Sequence, residues 1–327
     1  MKHPKKSLSL RNKTVVITGA SSGIGKATAE AFAKQGANLI LAARGQQALE
    51  ATAATCRLFG VKAKAVPTDV SVAAQVHHLV TEALTFNNRI DYWINNAGVL
   101  SFGKFEETPI EVVDQIVKTN LLGYMHAAHA VLPVFKKQEE GVLINNISIG
   151  GWMPAPYGTA YTASKFGIRG LVEGLQGEVS DYSNIHICAM YPGFQKSAGI
   201  EHAANFSGIK LSTPPPAFDP NELAAAMVKV AQRPGEANYP DWFSIIFKNL
   251  YQIFPRVIRN SSSALMRQVM KISNKDTNTS GNVLQSSTGN MGIHGKTLLP
   301  SAPKVLKLTL AGIVCLAAVK MFASRVN

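Results

Sequence analysis

Apolar positions in this chain fall into short unbroken runs, separated by longer stretches with helical spacing. Lys13-Thr-Val-Val-Ile-Thr18 is a β-branched run and reads as a buried strand. Similar runs place strands at 14–18, 38–43, 62–66, 91–94, 141–147 and 185–190. Between them, helical patterns cover 24–35, 46–59, 72–86, 109–136 and 157–180. Strands that alternate with helices, and that are apolar on both faces, imply a parallel sheet covered on both sides. A further helix at 220–232 begins after Asp219-Pro220, a cap followed by proline in the first turn. Glu236 to Pro240 reads as a short last strand. The 327 residues exceed what this core needs by roughly 80, all of them C-terminal.

Chemistry concentrates in three places. Tyr161-Thr-Ala-Ser-Lys165 puts a phenol and an ammonium four residues apart, on one helix face. A phenol of ordinary pKa near ~10 is a poor acid or base at neutral pH. An ammonium beside it favours the phenolate, so a lowered Tyr161 pKa is expected. Ser148 lies thirteen residues before Tyr161 and can hold the same substrate oxygen. Thr18-Gly-Ala-Ser-Ser-Gly-Ile-Gly25 follows the first strand and opens the first helix. In that context Gly19, Ser21, Ser22, Gly23, Ile24 and Gly25 form a loop whose free N–H groups and helix dipole suit a pyrophosphate. A proton-handling site beside a dinucleotide loop points to hydride transfer.

These residues resemble the short-chain dehydrogenase/reductase family, in its subgroup with a TGxxxGxG loop and a YxxxK pair. The match spans residues 10–240, with TGASSGIG at 18–25, Asp69, NNAG at 95–98, Ser148 with Tyr161 and Lys165, and YPG at 191–193 in order. The resemblance implies a three-layer Rossmann fold with a doubly wound parallel sheet, here followed by a C-terminal helical extension. It implies NAD(H) or NADP(H) and chemistry at an alcohol or carbonyl. Asn120 matches the Asn that completes an Asn-Ser-Tyr-Lys tetrad, where it holds a water in the proton relay; Lys165 also bonds the nicotinamide ribose. Asp69 matches the residue beside the adenine, and Asn95, Ala97 and Gly98 pack on the adenosine half. Pro192, Gly193 and the hydroxyl of Ser197 match positions near the nicotinamide, and Lys196 is an addition to that loop. The helices at 109–136 and 157–180 build interfaces in relatives, so a homodimer or homotetramer is expected.

Cofactor preference rests on the end of the second strand. An acid there bonds the ribose 2′-hydroxyl, whereas an Arg accommodates a 2′-phosphate. Asn38-Leu-Ile-Leu-Ala-Ala43 ends in Arg44 with no carboxylate, which favours NADP(H) over NAD(H). The glycine loop lacks a basic residue inside it, and Lys26 comes only after the last glycine. The lid at 194–218, with Phe194, Phe206 and Pro214-Pro-Pro216, implies an apolar carbonyl or alcohol substrate. A catalytically idle dinucleotide-binding scaffold or redox sensor at a membrane is the alternative. A complete Asn120, Ser148, Tyr161 and Lys165 set counts against it.

Charge divides the chain. The net +13 comes mostly from residues 241–327, which hold 11 Lys/Arg and 2 Asp/Glu. The first 240 residues are an expected catalytic domain of net +4. Residues 241–271 place Trp242, Ile246, Leu250 and Phe254 on one helical stripe, with Lys248, Arg256 and Arg259 nearby. That pattern fits an interfacial helix on an anionic membrane and equally a helix docked over the pocket or on a dimer partner. Residues 272–303, rich in Asn, Ser, Thr and Gly, read as a flexible polar linker. Residues 304–327 carry a twelve-residue uncharged apolar run from Leu308 to Val319 between Lys307 and Lys320, too short for an ordinary span unless the flanks are included. Spanning, surface-lying and protein-docked arrangements all fit it.

The N-terminal residues 1–11 are basic but lack the apolar core of a secretory signal, so a cytosol-facing, membrane-associated protein is expected. The apolar and aromatic content of the tail favours lipid over nucleic acid. Cys56, Cys188 and Cys315 show no pairing or metal spacing, and the pairs His77–His78 and His126–His129 lack accompanying ligands, so no metal is expected.

Overall fold

The computed structural model describes residues 9–273, 275–287 and 289–297. Its main sheet has seven parallel strands in the order β3-β2-β1-β4-β6-β7-β9. They are β1 (Thr14–Thr18), β2 (Asn38–Ala43), β3 (Ala63–Pro67), β4 (Tyr92–Asn95), β6 (Gly141–Asn146), β7 (Ile185–Met190) and β9 (Ala237–Asn238). Register runs Val15↔Leu39 between β1 and β2, and Val16↔Trp93 between β1 and β4. The order reverses between β1 and β4, and a crevice opens there at the carboxyl ends of the strands.

The strands inside the sheet contribute to two cores because successive side chains point to opposite faces, while the edge strand β9 joins neither. Val16, Ile40, Trp93, Leu143 and Ile187 join the core beneath α3 (Ala73–Asn87), α5 (Gly123–Gln138) and α6 (Thr159–Glu178). Val15, Ile17, Leu39, Leu41, Ile94 and Ile144 join the opposite core under α1 (Gly23–Lys34), α2 (Gln46–Arg57) and α7 (Pro220–Gln232). Helix α7 starts as its sequence implies: Asp219 caps it by accepting from Asn221 N at 2.8 Å, with Pro220 in the first turn. The three-layer, doubly wound arrangement is therefore present.

Three features differ from the sequence expectations. The helix expected over 109–136 is two, α4 (Ile110–Val117) and α5, joined by a π-helical turn at Lys118–Leu122. The apolar spacing continues across the turn, which hides it. A second, two-stranded parallel sheet pairs β5 (Ser101–Gly103) with β8 (Ala204–Phe206), each too short to register as a strand in sequence.

The third difference is the extension. Helix α8 (Trp242–Ile253) starts docked on the body. Asp241 caps it, Oδ1 accepting from Ser244 N at 2.8 Å while Oδ2 accepts from Gly193 N at 2.8 Å. Phe243 is buried, 5.6 Å from the Phe194 ring and stacked 4.2 Å from Phe247. Lys248 sits 4.9 Å over both the Trp152 and Tyr239 rings. Helix α9 (Pro255–Ile272) buries none of its described side chains. The described residues between 275 and 297, expected as a free linker, instead fold back across the carboxyl edge of the sheet. The segment 304–327 lies outside the described residues, and among those described no helix is long and apolar enough to cross a membrane.

Candidate active site

The dinucleotide loop is a tight cradle. Gly19 takes a left-handed φ of +67°, and a Cβ there would stand 2.8 Å from Ala97 Cα. A Cβ on Gly25 would meet the Gly19 carbonyl oxygen at 2.0 Å, so only glycine lets the helix start this close to the turn. Thr18 ties the loop to the end of β4: its Oγ1 accepts from Asn96 N at 3.0 Å and Ala97 N at 3.1 Å. The resulting cleft is lined by Gly19, Ser21, Ser22, Gly23, Ile24 and Gly25 on one side. Ala97, Gly98, Arg44, Asp69 and Ser197 line the others. These sequence-selected residues are thus brought together.

Asn95 is not among them. It is buried, with Nδ2 donating to Asn145 Oδ1 at 3.0 Å and Oδ1 accepting from Trp93 Nε1 at 2.9 Å. The pleat turns Asn95 into the sheet, and its neighbour Asn96 lines the cleft instead. Asn96 Nδ2 donates to Thr18 O at 3.0 Å, and its Oδ1 accepts from Asn146 Nδ2 at 3.0 Å. Strand alternation at the Asn95-Asn96 pair was the signal that could have separated the two.

Pro192 and Gly193, also selected from the sequence, do not line the cleft. Pro192 O accepts from Ile149 N at 2.8 Å, and Gly193 N is held by the α8 cap Asp241. Asp69 accepts from Ser71 N and Oγ, which shapes the turn after β3. Burial lowers the pKa of Arg44 while Asp69 opposes that shift.

The proton-handling group gathers where β6 ends and α6 begins. Tyr161 and Lys165 share one face of α6, with Lys165 Nζ 5.6 Å from the Tyr161 ring centre and 5.4 Å from that of Tyr124. Tyr161, Ser148 and Lys165 close around Gly150, where an added Cβ would stand 3.1 Å from the Tyr161 ring, 3.6 Å from Ser148 Oγ and 3.8 Å from Lys165 Cγ. Ser148 holds φ at 96°, a region rarely used by non-glycine residues, and its Oγ accepts from Gly150 N at 3.1 Å. Lys165 is almost fully buried, donates to Asn146 O at 3.2 Å, and is pushed down to about 7 by that burial.

The expected lowering of the Tyr161 pKa is not what this arrangement produces. Burial raises it, and the nearby Ser148 hydroxyl works in the opposite direction without winning. Lys165 is itself pushed down to about 7 by burial, so it has lost its proton by the pH at which a phenol ionises and offers the phenolate no charge.

Asn120 lies in the π-helical turn, fully buried. Its Oδ1 accepts from Val99 N at 2.8 Å, and its Nδ2 donates to Val99 O and to Ser164 Oγ. Ser164 Oγ donates to Tyr161 O at 2.7 Å. Asn120 thereby braces the Tyr161 backbone against the loop after β4. Tyr124, whose OH donates to Asn146 O at 2.9 Å, belongs to the same network and carried no sequence motif. Lys196 lies in the lid, with its N–H bonded to Phe218 O.

A glycine cradle at the switch point of a doubly wound sheet, beside a Ser-Tyr-Lys group, defines a nucleotide-dependent oxidoreductase architecture. The short chain dehydrogenase family model matches residues 13–205. The chain belongs to the short-chain dehydrogenase/reductase family of oxidoreductases. It is 31% identical over 229 residues to an uncharacterized oxidoreductase of Staphylococcus haemolyticus, covering 70% of this chain and 95% of that one. Among solved structures, an alcohol dehydrogenase from Thermococcus sibiricus complexed with 5-hydroxy-NADP is 30% identical. It has a TM-score of 0.62, with 70% of this chain and 96% of that chain covered. A Burkholderia phymatum short chain dehydrogenase/reductase in complex with NAD shares the fold at a TM-score of 0.69 and 23% identity, covering 76% and 96% of the two chains.

Proposed function

We propose that this protein is an NADP(H)-dependent oxidoreductase that interconverts a carbonyl and an alcohol on an apolar substrate. The observation that carries the proposal is the convergence of Tyr161, Ser148 and buried Lys165 around Gly150, with Asn120 linking them to Gly98 of the dinucleotide cleft. When bound, the nicotinamide supplies or accepts the hydride. Tyr161 delivers a proton to the substrate oxygen in reduction and removes it in oxidation. Ser148 orients that oxygen. Burial keeps the Tyr161 phenol protonated, which suits the acid role in reduction. Lys165, held near neutrality, exchanges protons with that phenol's surroundings and reaches a cofactor ribose. Asn120 holds Tyr161 in register and a relay water near it.

Arg44, at the end of a second strand without a carboxylate, supports the 2′-phosphate form of the cofactor. The Thermococcus relative's 5-hydroxy-NADP complex is in keeping with this, and the Burkholderia structure holds NAD. The test is turnover of a panel of aldehydes, ketones and alcohols with NADPH and NADH. Turnover with NADH alone would remove the preference, and no turnover with any pair would favour an idle scaffold.

The extension supports attachment to an anionic membrane surface. Ile245, Ile246, Ile253, Val257 and Leu265 are exposed on α8 and α9, and no acidic residue occurs between 242 and 272. Flotation with anionic liposomes, lost with neutral ones, is the expected result. A protein that ignores both would make these helices an interface between protein surfaces.

A further inference from the structure

The polar segment after α9 lies on the groups that a dinucleotide would need. Gly23 N, the first free N–H of α1, donates to Gly292 O at 2.9 Å. Arg44 donates to three carbonyls of the same segment: Val283 O at 3.3 Å, Gln285 O at 3.2 Å and Asn282 O. A backbone N–H has one hydrogen, so Gly23 cannot serve Gly292 and a pyrophosphate together. The segment has thus placed carbonyl oxygens, each a partial negative charge, at both positions where phosphate charge is expected.

The seating is built. Val283 is fully buried in a third apolar cluster with Val99, Val112, Ile116, Ala160 and Ala204. The segment bridges the lid antiparallel at Ser197↔His294, Asn205↔Thr279 and Ile209↔Lys275, and parallel at Thr213↔Thr297. Gly295 N donates to Lys196 O at 3.0 Å, Asn282 N to His202 O at 2.8 Å, and Lys296 N to Glu201 Oε1 at 2.5 Å. His294 Nε2 lies 3.1 Å from Asp219 Oδ1, at the cap of α7. The cavity left between the cradle and the segment is about 190 Å³, lined by Ser286, Ser287 and Met291 as well as the glycine loop. Small-molecule sites normally enclose about 300–1,000 Å³.

We propose that residues 275–297 are a self-ligand of the cofactor cleft: the strap and the dinucleotide exclude each other at Gly23 and Arg44, and the enzyme rests closed. The inference depends on the cleft being a dinucleotide site, as proposed above. It adds that cofactor must displace the strap. Because the strap is zipped to the lid at 196–209, displacement opens the substrate side in the same movement. A strap seated nine-tenths of the time lowers apparent cofactor affinity about tenfold.

Two strap glycines give clean variants. A Cβ on Gly281 would stand 2.3 Å from His202 O, and one on Gly295 would stand 2.4 Å from Ser197 O. Both clashes are with backbone, so Gly281→Val and Gly295→Val should dislodge the strap without altering the glycine loop, and Gly281→Val, whose clash is with His202 and Ala203, leaves Ser197 untouched as well. The experiment measures NADPH and NADH affinity of the full chain and both variants by calorimetry. Both variants are expected to bind NADPH about tenfold tighter or more, and a synthetic peptide of residues 275–297 should restore the weaker binding. Equal or weaker binding in the variants overturns the proposal and leaves the cleft reading intact. No binding of either dinucleotide to any form overturns the cleft reading and this inference with it. A measurement on the unaltered protein guards against misfolded variants. Saturating NADPH should speed tryptic cleavage after Lys275 and Lys296; protection of those sites would make the strap a cover closed over bound cofactor and sink the idea.

Discussion

The body through residue 240 and the extension beyond it are held by different forces. In the body, strands bury side chains on both faces, and Val15, Val16, Ile17, Leu39, Ile40 and Leu41 are each fully removed from water. The described residues of the extension bury Phe243, Ser244 and Val283 and attach otherwise mostly through backbone groups, with two cation–π contacts, a shared aspartate, the His294–Asp219 pair and a Trp242–Phe218 ring contact. Apolar burial is non-directional and large, whereas a backbone hydrogen bond exchanged with water contributes only about 0.5–1.5 kcal/mol. The body is therefore built to stay and the extension is built to let go.

That contrast can be broken at several points. The largest effect should come from Tyr161→Phe, which removes the transferable proton and leaves the fold. A loss of about 10²- to 10⁴-fold in kcat is expected, with dinucleotide affinity unchanged by calorimetry. Retention of more than about a tenth of kcat would take the acid–base role from Tyr161. Next comes Phe135→Ala in the body core, expected to cost about 3–5 kcal/mol in denaturant unfolding.

A pH titration sharpens the same comparison. Lys165 is held at about 7 against an ordinary 10.5. Below pH 7 both folded and unfolded chains carry its proton. Between 7 and 10.5 the unfolded chain binds more protons, so stability should rise with pH through that window, by a few kcal/mol. Above about 10 the raised Tyr161 pKa acts the other way, since the unfolded phenol ionises first. Lys165→Met should flatten the rise, and an unchanged melting profile would show that the ammonium is not buried as described. The smallest effect belongs to Leu265→Ala on α9, where the side chain is 67% exposed. A change within about 0.5 kcal/mol is expected, and a larger one would mean that α9 is covered in solution.

What the sequence made legible follows the same division. Strands such as 14–18, 38–43 and 185–190 coincide with the observed ones, because double-sided burial demands continuous apolar runs. Tyr161, Lys165, Ser148 and the glycine loop were legible because their spacing is local. Asn95 and Asn96 were not separable by motif, since only the pleat decides which one faces the cleft. The π-helical turn around Asn120 escaped because apolar spacing continues through it. The strap escaped for a deeper reason. Most of its contacts are backbone carbonyls and N–H groups, which nearly every residue has, so Asn282 to Gln285 look like any polar linker. Its side-chain anchors, Val283 and His294, are too little signal to read.

Ser148 carries a consequence for the chain's backbone as well as for its chemistry. Its backbone angle of 96° is comfortable for glycine and strained for serine. A glycine at position 148 would ease that strain and lose both the hydroxyl and the bond it accepts from Gly150 N. The serine thus acts as a spring held under tension, fixing one oxygen in place at the cost of a relaxed turn.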